Sequence, residues 1–294
     1  MTRPTINPYL GLFIGVGAIS FAAILIRWAQ APALAVAAYR LGFSALILLP
    51  LAGWRARDEL GTLSRRDLTL AVLGGFFLAC HFALWIASLE YTTVASSVVL
   101  VTTNPLWVGL LAPLLGDRVG WRMALGIGIS VVGGVLVGAG DLALGATALW
   151  GDALALGGAW MILAYLLLGR GLQRRLSLLA YVTPVYTAAA VFLVLFALVA
   201  GVPLAGYSAQ TVIMCLLLAL GPQLVGHSSI NWALRYLSPA FVTITILGET
   251  VGSTVLAFVL LGELPPLVTL AGGALILAGI ALASQEEHAR LRQT

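Results

Sequence analysis

The segment LRYLSPAFVTITILGET (Leu234–Thr250) sets a glutamate, Glu249, in the middle of a long apolar run, and SLEYTTVASSVVLVTTNP (Ser88–Pro105) reads much like it. Aligning the two pairs Leu89 with Leu234, Tyr91 with Tyr236 and Ala95 with Ala240. With one residue of slippage the match continues, pairing Gly116 with Gly262, Asp117 with Glu263, Gly126 with Gly272 and Gly133 with Gly279. Apolar sequences match easily by chance, so the constant offset of 145 to 146 residues carries more weight than the identities.

Both segments belong to a chain built for a bilayer. Of 294 residues, 61% are hydrophobic and 9% charged, with a mean hydropathy of +1.05; a soluble domain carries about 25% charged residues. Crossing a hydrocarbon core of about 30 Å takes roughly 20 residues of helix. Ten apolar stretches meet that length: 8–28, 33–54, 67–89, 92–115, 120–140, 146–169, 178–200, 210–234, 238–261 and 265–284. The expected fold class is an all-α polytopic membrane protein. A transmembrane barrel, with alternating segments of about ten residues, is excluded by this pattern.

The offset carries the fourth span onto the ninth and the fifth onto the tenth. Five is odd, so equivalent spans would cross in opposite directions. The expectation is a 5+5 inverted-topology repeat, residues 1–145 and 146–294, around a central cavity, as in secondary transporters.

Charge placement sets the expected orientation. The 15 basic residues are all arginine. If the spans alternate, one side collects thirteen of them, among them Arg3, Arg55, Arg65, Arg118, Arg175, Arg235 and Arg292; the other collects only Arg27, and Arg40 lies within a span. The positive-inside rule then puts both termini in the cytoplasm of a bacterial-type inner membrane. That distribution also argues against a nucleic-acid partner despite a pI of about 9.4. The N-terminal apolar run resembles a secretory signal, but it exceeds the usual 7 to 15 residues and ends in Arg27 and Trp28. Cys80 and Cys215 fall inside spans, where they read as packing residues and not as a disulfide or metal pair. No Walker-type phosphate loop and no cofactor motif appears.

Polar residues within the spans are the candidate site. A charge at the centre of a membrane helix costs about 2.5 to 3.5 kcal/mol on insertion scales, so Glu249 should face the protein interior, on one helical face with Thr245 and Ser253. Its repeat counterpart is Asn104 or the adjacent Pro105. Gln223, His227 and Asn231 recur every four residues after Gly221-Pro222, and His81, Trp85 and Ser88 form the matching stripe. Each histidine admits a structural role, substrate contact or proton coupling. Arg40, roughly 11 Å deep, is the candidate charge partner, either snorkelling or facing Glu249 or a substrate carboxylate. Trp28, Trp54, Trp121, Trp150 and Trp232 fit an interfacial belt; Trp85, Trp107 and Trp160 do not, and suit either packing or an aromatic wall. Gly11 with Gly15 and Gly134 with Gly138 are GxxxG pairs, expected to pack tightly within a monomer or across a homodimer.

The ten spans and the patterns GDRV…G…G (116–133) and GELPP…GG…G (262–279) together resemble the EamA family of the drug/metabolite transporter superfamily. The resemblance implies a cavity lined mainly by spans 1, 3, 4, 6, 8 and 9, and export of a small molecule by alternating access, most like that of aromatic or hydrophobic amino acids. An efflux carrier for cationic or amphipathic drugs or other metabolites is the alternative. A membrane enzyme or scaffold is disfavoured, since Glu249 and two dispersed histidines are thin material for catalysis. The expected substrate contacts are His81, Trp85, Asn104, Trp107, Trp160, Gln223, His227 and Glu249.

Overall fold

The computed structural model describes residues 7–111, 119–139, 146–264 and 267–291. Among them the regular structure is helical: α1 (Pro8–Ser20), α2 (Ala22–Ala29), α3 (Ala33–Arg55), α4 (Arg57–Gly61), α5 (Arg65–Ser88), α6 (Val94–Val101), α7 (Asn104–Leu111), α8 (Trp121–Ala139), α9 (Ala146–Arg175), α10 (Leu178–Val199), α11 (Ala209–Leu218), a π-helical segment (Ala219–His227), α12 (Ser228–Ala233), α13 (Pro239–Ile246), α14 (Gly248–Leu261) and α15 (Leu267–Leu291). Seven stretches are long and apolar enough to cross a membrane, and three shorter apolar helices, Val94–Gly109, Trp121–Leu136 and Leu270–Glu286, accompany them. Large apolar side chains cover the outside of the bundle, with Val199 90% and Leu46 68% exposed, a surface suited to lipid. The motif residues Gly116, Asp117 and Arg118, the junction at 145, and Arg3 and Arg292 lie outside the described residues.

Three spans expected to be continuous are interrupted, and a fourth is distorted. The first pauses at Phe21, whose amide bonds Ala18 O. The fourth breaks at Thr102 and Thr103, between α6 and α7. Pro105 has no N–H to offer Val101 O and its ring would crowd that carbonyl; the Asn104 side-chain amide donates to Val101 O instead, at 3.2 Å. The ninth breaks at Leu247 without a proline. Thr243 and Thr245 both bond back to carbonyls four residues earlier, which bends helices, and Gly248 is a weak helix former. Amide bonds three residues back, Leu247 to Ile244 and Thr250 to Leu247, carry the chain through. In the eighth span, Pro222 is accommodated by the π-helical turn. Glu249 therefore sits in the first turn of α14, not in mid-helix.

Helix starts are capped by side chains the sequence supplies. Thr93 accepts from Ser96 N ahead of α6, and Ser238 from Phe241 N ahead of α13. Ser64 and Asp67 form a reciprocal capping box at α5, and Asp67 also pairs with Arg175 at the end of α9. Ser177 N donates to Glu59 Oε1 at 2.6 Å beside that pair, tying the α4 connection to the α9–α10 turn.

Glycines set the closest helix contacts. In the crossing of α8 with α15, a Cβ on Gly126 would lie 2.7 Å from Gly279 O and one on Gly133 2.5 Å from Gly272 O. Of the pair Gly134 and Gly138, expected to pack within a monomer or across a homodimer, a Cβ on Gly134 would reach only Val99 Cγ1, at 3.4 Å, and the surroundings of Gly138 lie outside the described side chains. Gly11 and Gly15 pack as expected, within the chain, against Trp232 and Ser229. In that contact the Trp232 ring fills the space above Gly11 and meets Tyr236 edge-on at 5.1 Å. Trp54, Trp121 and Trp150 are exposed at helix ends.

Candidate functional site

The broken helices cross beside one cavity. It spans about 600 Å³ including its mouth, and its walls carry Arg40, His81, Trp85, Thr102, Asn104, Tyr165, His227, Asn231 and Glu249 among apolar residues such as Ile162 and Ile246. Asn104 opens α7 and Glu249 lies in the first turn of α14, so each side chain projects from a helix N-terminus at mid-span. Thr102 Oγ1 and Thr250 Oγ1 meet at 3.4 Å where the two breaks touch.

Two opposite charges share this space without neutralising each other directly. Arg40 is fully buried; its Nε donates to Gln223 Oε1 at 2.8 Å, and its guanidinium lies 4.1 Å over the Phe82 ring. Its two terminal nitrogens have no hydrogen-bond partner. Glu249 is 7% exposed and close enough to interact with Arg40 electrostatically. A buried charge without a hydrogen-bond partner costs several kcal/mol, and the unbonded Nη1 and Nη2 make Arg40 such a group.

The aromatic side of the cavity comes from α5 and its neighbours. His81 stacks on Trp85 with ring centroids 6.1 Å apart and planes at 11°, and Nδ1 lies 2.9 Å from Gly158 O on α9. His227 faces His81 edge-on at 6.4 Å. Trp85 Nε1 is buried without a partner, and so is Asn104 Oδ1. Behind this wall, Asn231 Oδ1 accepts from Tyr165 OH at 2.8 Å and from Gln173 Nε2 at 2.9 Å, while Asn231 Nδ2 donates to Tyr186 OH at 3.3 Å.

Of the residues expected from sequence, His81, Trp85, Asn104, His227, Glu249 and Arg40 come together at the cavity. Three stand outside its lining. Gln223 is turned to Arg40 because the π-helical turn between Ala219 and His227 changes the rotation per residue, so it no longer shares a face with His227 and Asn231. Trp107 follows the break at Thr103 and pairs edge-on with Trp160 at 6.0 Å, and Trp160 is 47% exposed. Tyr165, Asn231 and Thr102 line the site but were not expected there. Asn231 stood in a visible stripe with Gln223 and His227; Tyr165 offered no spacing signal.

A multi-pass helical membrane protein with a buried cavity that is part polar and part aromatic is a small-molecule transporter in form. The model of the EamA-like transporter family matches the chain twice, over residues 7–139 and 149–285, so the chain belongs to that family and is a transporter, not an enzyme. A "probable terminal-alkyne amino-acid exporter" of Streptantibioticus cattleyicolor is 29% identical over 233 residues, covering 78% of this chain and 77% of that protein. An "uncharacterized transporter" of Archaeoglobus fulgidus is 24% identical over 225 residues, covering 75% of this chain and 77% of that protein. A solved crystal structure superposes with a TM-score of 0.77 over 96% of this chain and 98% of that one; at 18% identity the likeness is one of fold.

Proposed function

We propose that this transporter exports hydrophobic or aromatic amino acids across a bacterial-type inner membrane, with both termini cytoplasmic, by alternating access between two inverted halves, residues 1–145 and 146–294. The observation that carries the substrate class is the single cavity that holds one cationic and one anionic side chain beside an aromatic wall. Glu249 alone would favour a cationic drug. Arg40 on the same wall offsets that charge, which favours a zwitterion. The relative from Streptantibioticus, itself named as an amino-acid exporter, supports the same class. His81, Trp85, Asn104, His227 and Glu249 contact the substrate in this reading, joined by Tyr165 and Asn231; Trp107, Trp160 and Gln223 act from behind.

Ten spans in two halves of five are supported by correspondences across the offset. α6 and α13 begin and end 145 residues apart, each capped by a hydroxyl and each followed by a break. The glycine contacts are self-complementary: with Gly126 equivalent to Gly272 and Gly133 to Gly279, the pairs Gly126–Gly279 and Gly133–Gly272 exchange under a two-fold axis. Such an axis in the membrane plane is what an inverted repeat requires.

Uptake of radiolabelled phenylalanine, tryptophan and threonine into liposomes holding the purified protein tests the reading, with and without a pH gradient. Saturable uptake with the aromatic amino acids preferred is the expected result. Uptake of none of them by folded protein, with accumulation of a lipophilic cation instead, would replace it with the drug-efflux alternative.

A further inference from the structure

The guanidinium of Arg40 has five N–H donors in a planar fork. Only Nε–H is engaged, by Gln223 Oε1 at 2.8 Å; the ring of Phe82 covers one face at 4.1 Å. The remaining edge, formed by Nη1 and Nη2, is buried and unpartnered, and Arg40 is among the residues lining the cavity. An end-on fork of this kind matches the two oxygens of a carboxylate, and Arg presents it in a way an ammonium does not. Glu249 lies on the same cavity and is not bonded to either terminal nitrogen. A ligand carrying both charges on one carbon would engage each of them without leaving a buried charge alone.

We propose that Arg40 is the carboxylate receptor of this carrier, held by Gln223 so that its Nη1–Nη2 edge takes the α-carboxylate of the substrate while Glu249 takes the α-ammonium. The inference rests on the amino-acid reading above and narrows it: the ligand class is the free zwitterionic amino acid, and amines, amides and carboxylates lacking the ammonium are rejected. Gln223 is a positioning residue. It turns the fork toward the cavity from the π-helical segment, and under the two-half reading its bond to α3 runs between the halves. The stack of His81 on Trp85 and the ring of Tyr165 are left to meet the side chain.

The test is competition for phenylalanine uptake by the full-length protein in liposomes, using 2-phenylethylamine, which lacks the carboxylate, and 3-phenylpropionate, which lacks the ammonium. With wild-type protein, each analogue should compete about a hundredfold less well than unlabelled phenylalanine, because a site built around hydrogen bonds penalises their loss steeply. Arg40→Gln should erase the discrimination against 2-phenylethylamine, whereas loss of a merely structural arginine would depress all ligands in proportion. Gln223→Leu should raise KM for phenylalanine about tenfold with little change in kcat, and Gln223→Glu, which places a carboxylate on the fork, should shift preference toward the amine. If Arg40→Gln does not fold, the wild-type analogue series alone decides. Equal competition by 2-phenylethylamine and phenylalanine at the wild-type protein would overturn the receptor assignment and leave an aromatic carrier standing. Uptake of neither would overturn both.

Discussion

The breaks after α6 and after α13 lie at corresponding places in the chain, yet they arise from different chemistry. The first is covalent: Pro105 removes a donor, and Asn104 caps the freed carbonyl of Val101. The second has no proline and depends on Gly248 and on threonine hydroxyls that bond back along the helix. The first presents a neutral amide to the cavity and the second a carboxylate. Under the two-half reading, the two breaks are one scaffold position built twice, once around a proline and once around a glycine, and the charge sits beside the glycine.

The largest effect should come from removing that charge. Glu249→Leu is expected to lower transport by about a hundredfold, since hydrogen bonds to charged groups contribute about 1.5 to 3 kcal/mol, while folded yield is kept or improved because a buried carboxylate is costly. Asn104→Leu, at the corresponding break, should cost only about tenfold, from a neutral contact. Initial rates of phenylalanine uptake in liposomes measure both. Equal losses at the two positions would show that the two breaks are chemically interchangeable and dissolve the comparison.

Next in size is the supporting network, which only the later part of the chain possesses. Asn231 joins α12 to α9 and α10 through Tyr165, Gln173 and Tyr186. At an offset of 145, its counterpart is Ile86, a buried apolar residue, and those of Tyr165 and Gln173 are Ser20 and Trp28. Asn231→Ile would strand the hydroxyl and amide donors at about 1 to 3 kcal/mol each. The expected result is a melting temperature in detergent lower by several degrees, together with loss of uptake as Tyr165 loses its tether. An unchanged melting temperature would mean that the network adds nothing over apolar packing.

A third effect is confined to packing. Gly133→Ala would place a methyl 2.5 Å from Gly272 O, and overpacking of this kind costs about 1 to 3 kcal/mol. Gly128→Ala on the same helix meets nothing within 4 Å and should leave the melting temperature unchanged or slightly raised, since alanine is the better helix former. Substitution at Gly126, the other member of the crossing, should mimic Gly133. Opposite behaviour of Gly126 and Gly133 would break the self-complementary contact on which the two-fold reading leans.

Much of this was legible in the sequence, and the reasons divide cleanly. Length and apolarity are one-dimensional, so the seven stretches long enough to cross a membrane and the three shorter apolar helices all overlap stretches marked from sequence. The polar positions His81, Asn104, His227 and Glu249 stood out because buried polarity is conspicuous in an apolar run, and the cavity gathers all four. What escaped was anything that depends on backbone rotation. Gln223 left the expected face because Pro222 is absorbed by a π-helical turn. Trp107 turned to Trp160 after an interruption that periodicity, which assumes a continuous helix, does not register. Tyr165 lines the cavity because Asn231 anchors its hydroxyl, a tertiary fact with no local signature.

The smallest expected effect bears most directly on motion. If the break at Leu247 is deformable because Gly248 is a weak helix former, then Gly248→Ala should stiffen it by about 1 kcal/mol, and the site has room: a Cβ there would meet Val16 Cγ1 at 3.4 Å and Ile280 Cδ1 at 3.8 Å, ordinary contacts. The melting temperature should rise by a few degrees while the maximal uptake rate falls about threefold, with KM held because no cavity side chain has changed. Pro105→Ala is the matched experiment at the other break. Asn104 already satisfies Val101 O there, so restoring an N–H should alter the rate less than Gly248→Ala does. A larger slowing from Pro105→Ala would reverse the assignment and make the earlier break the one that moves.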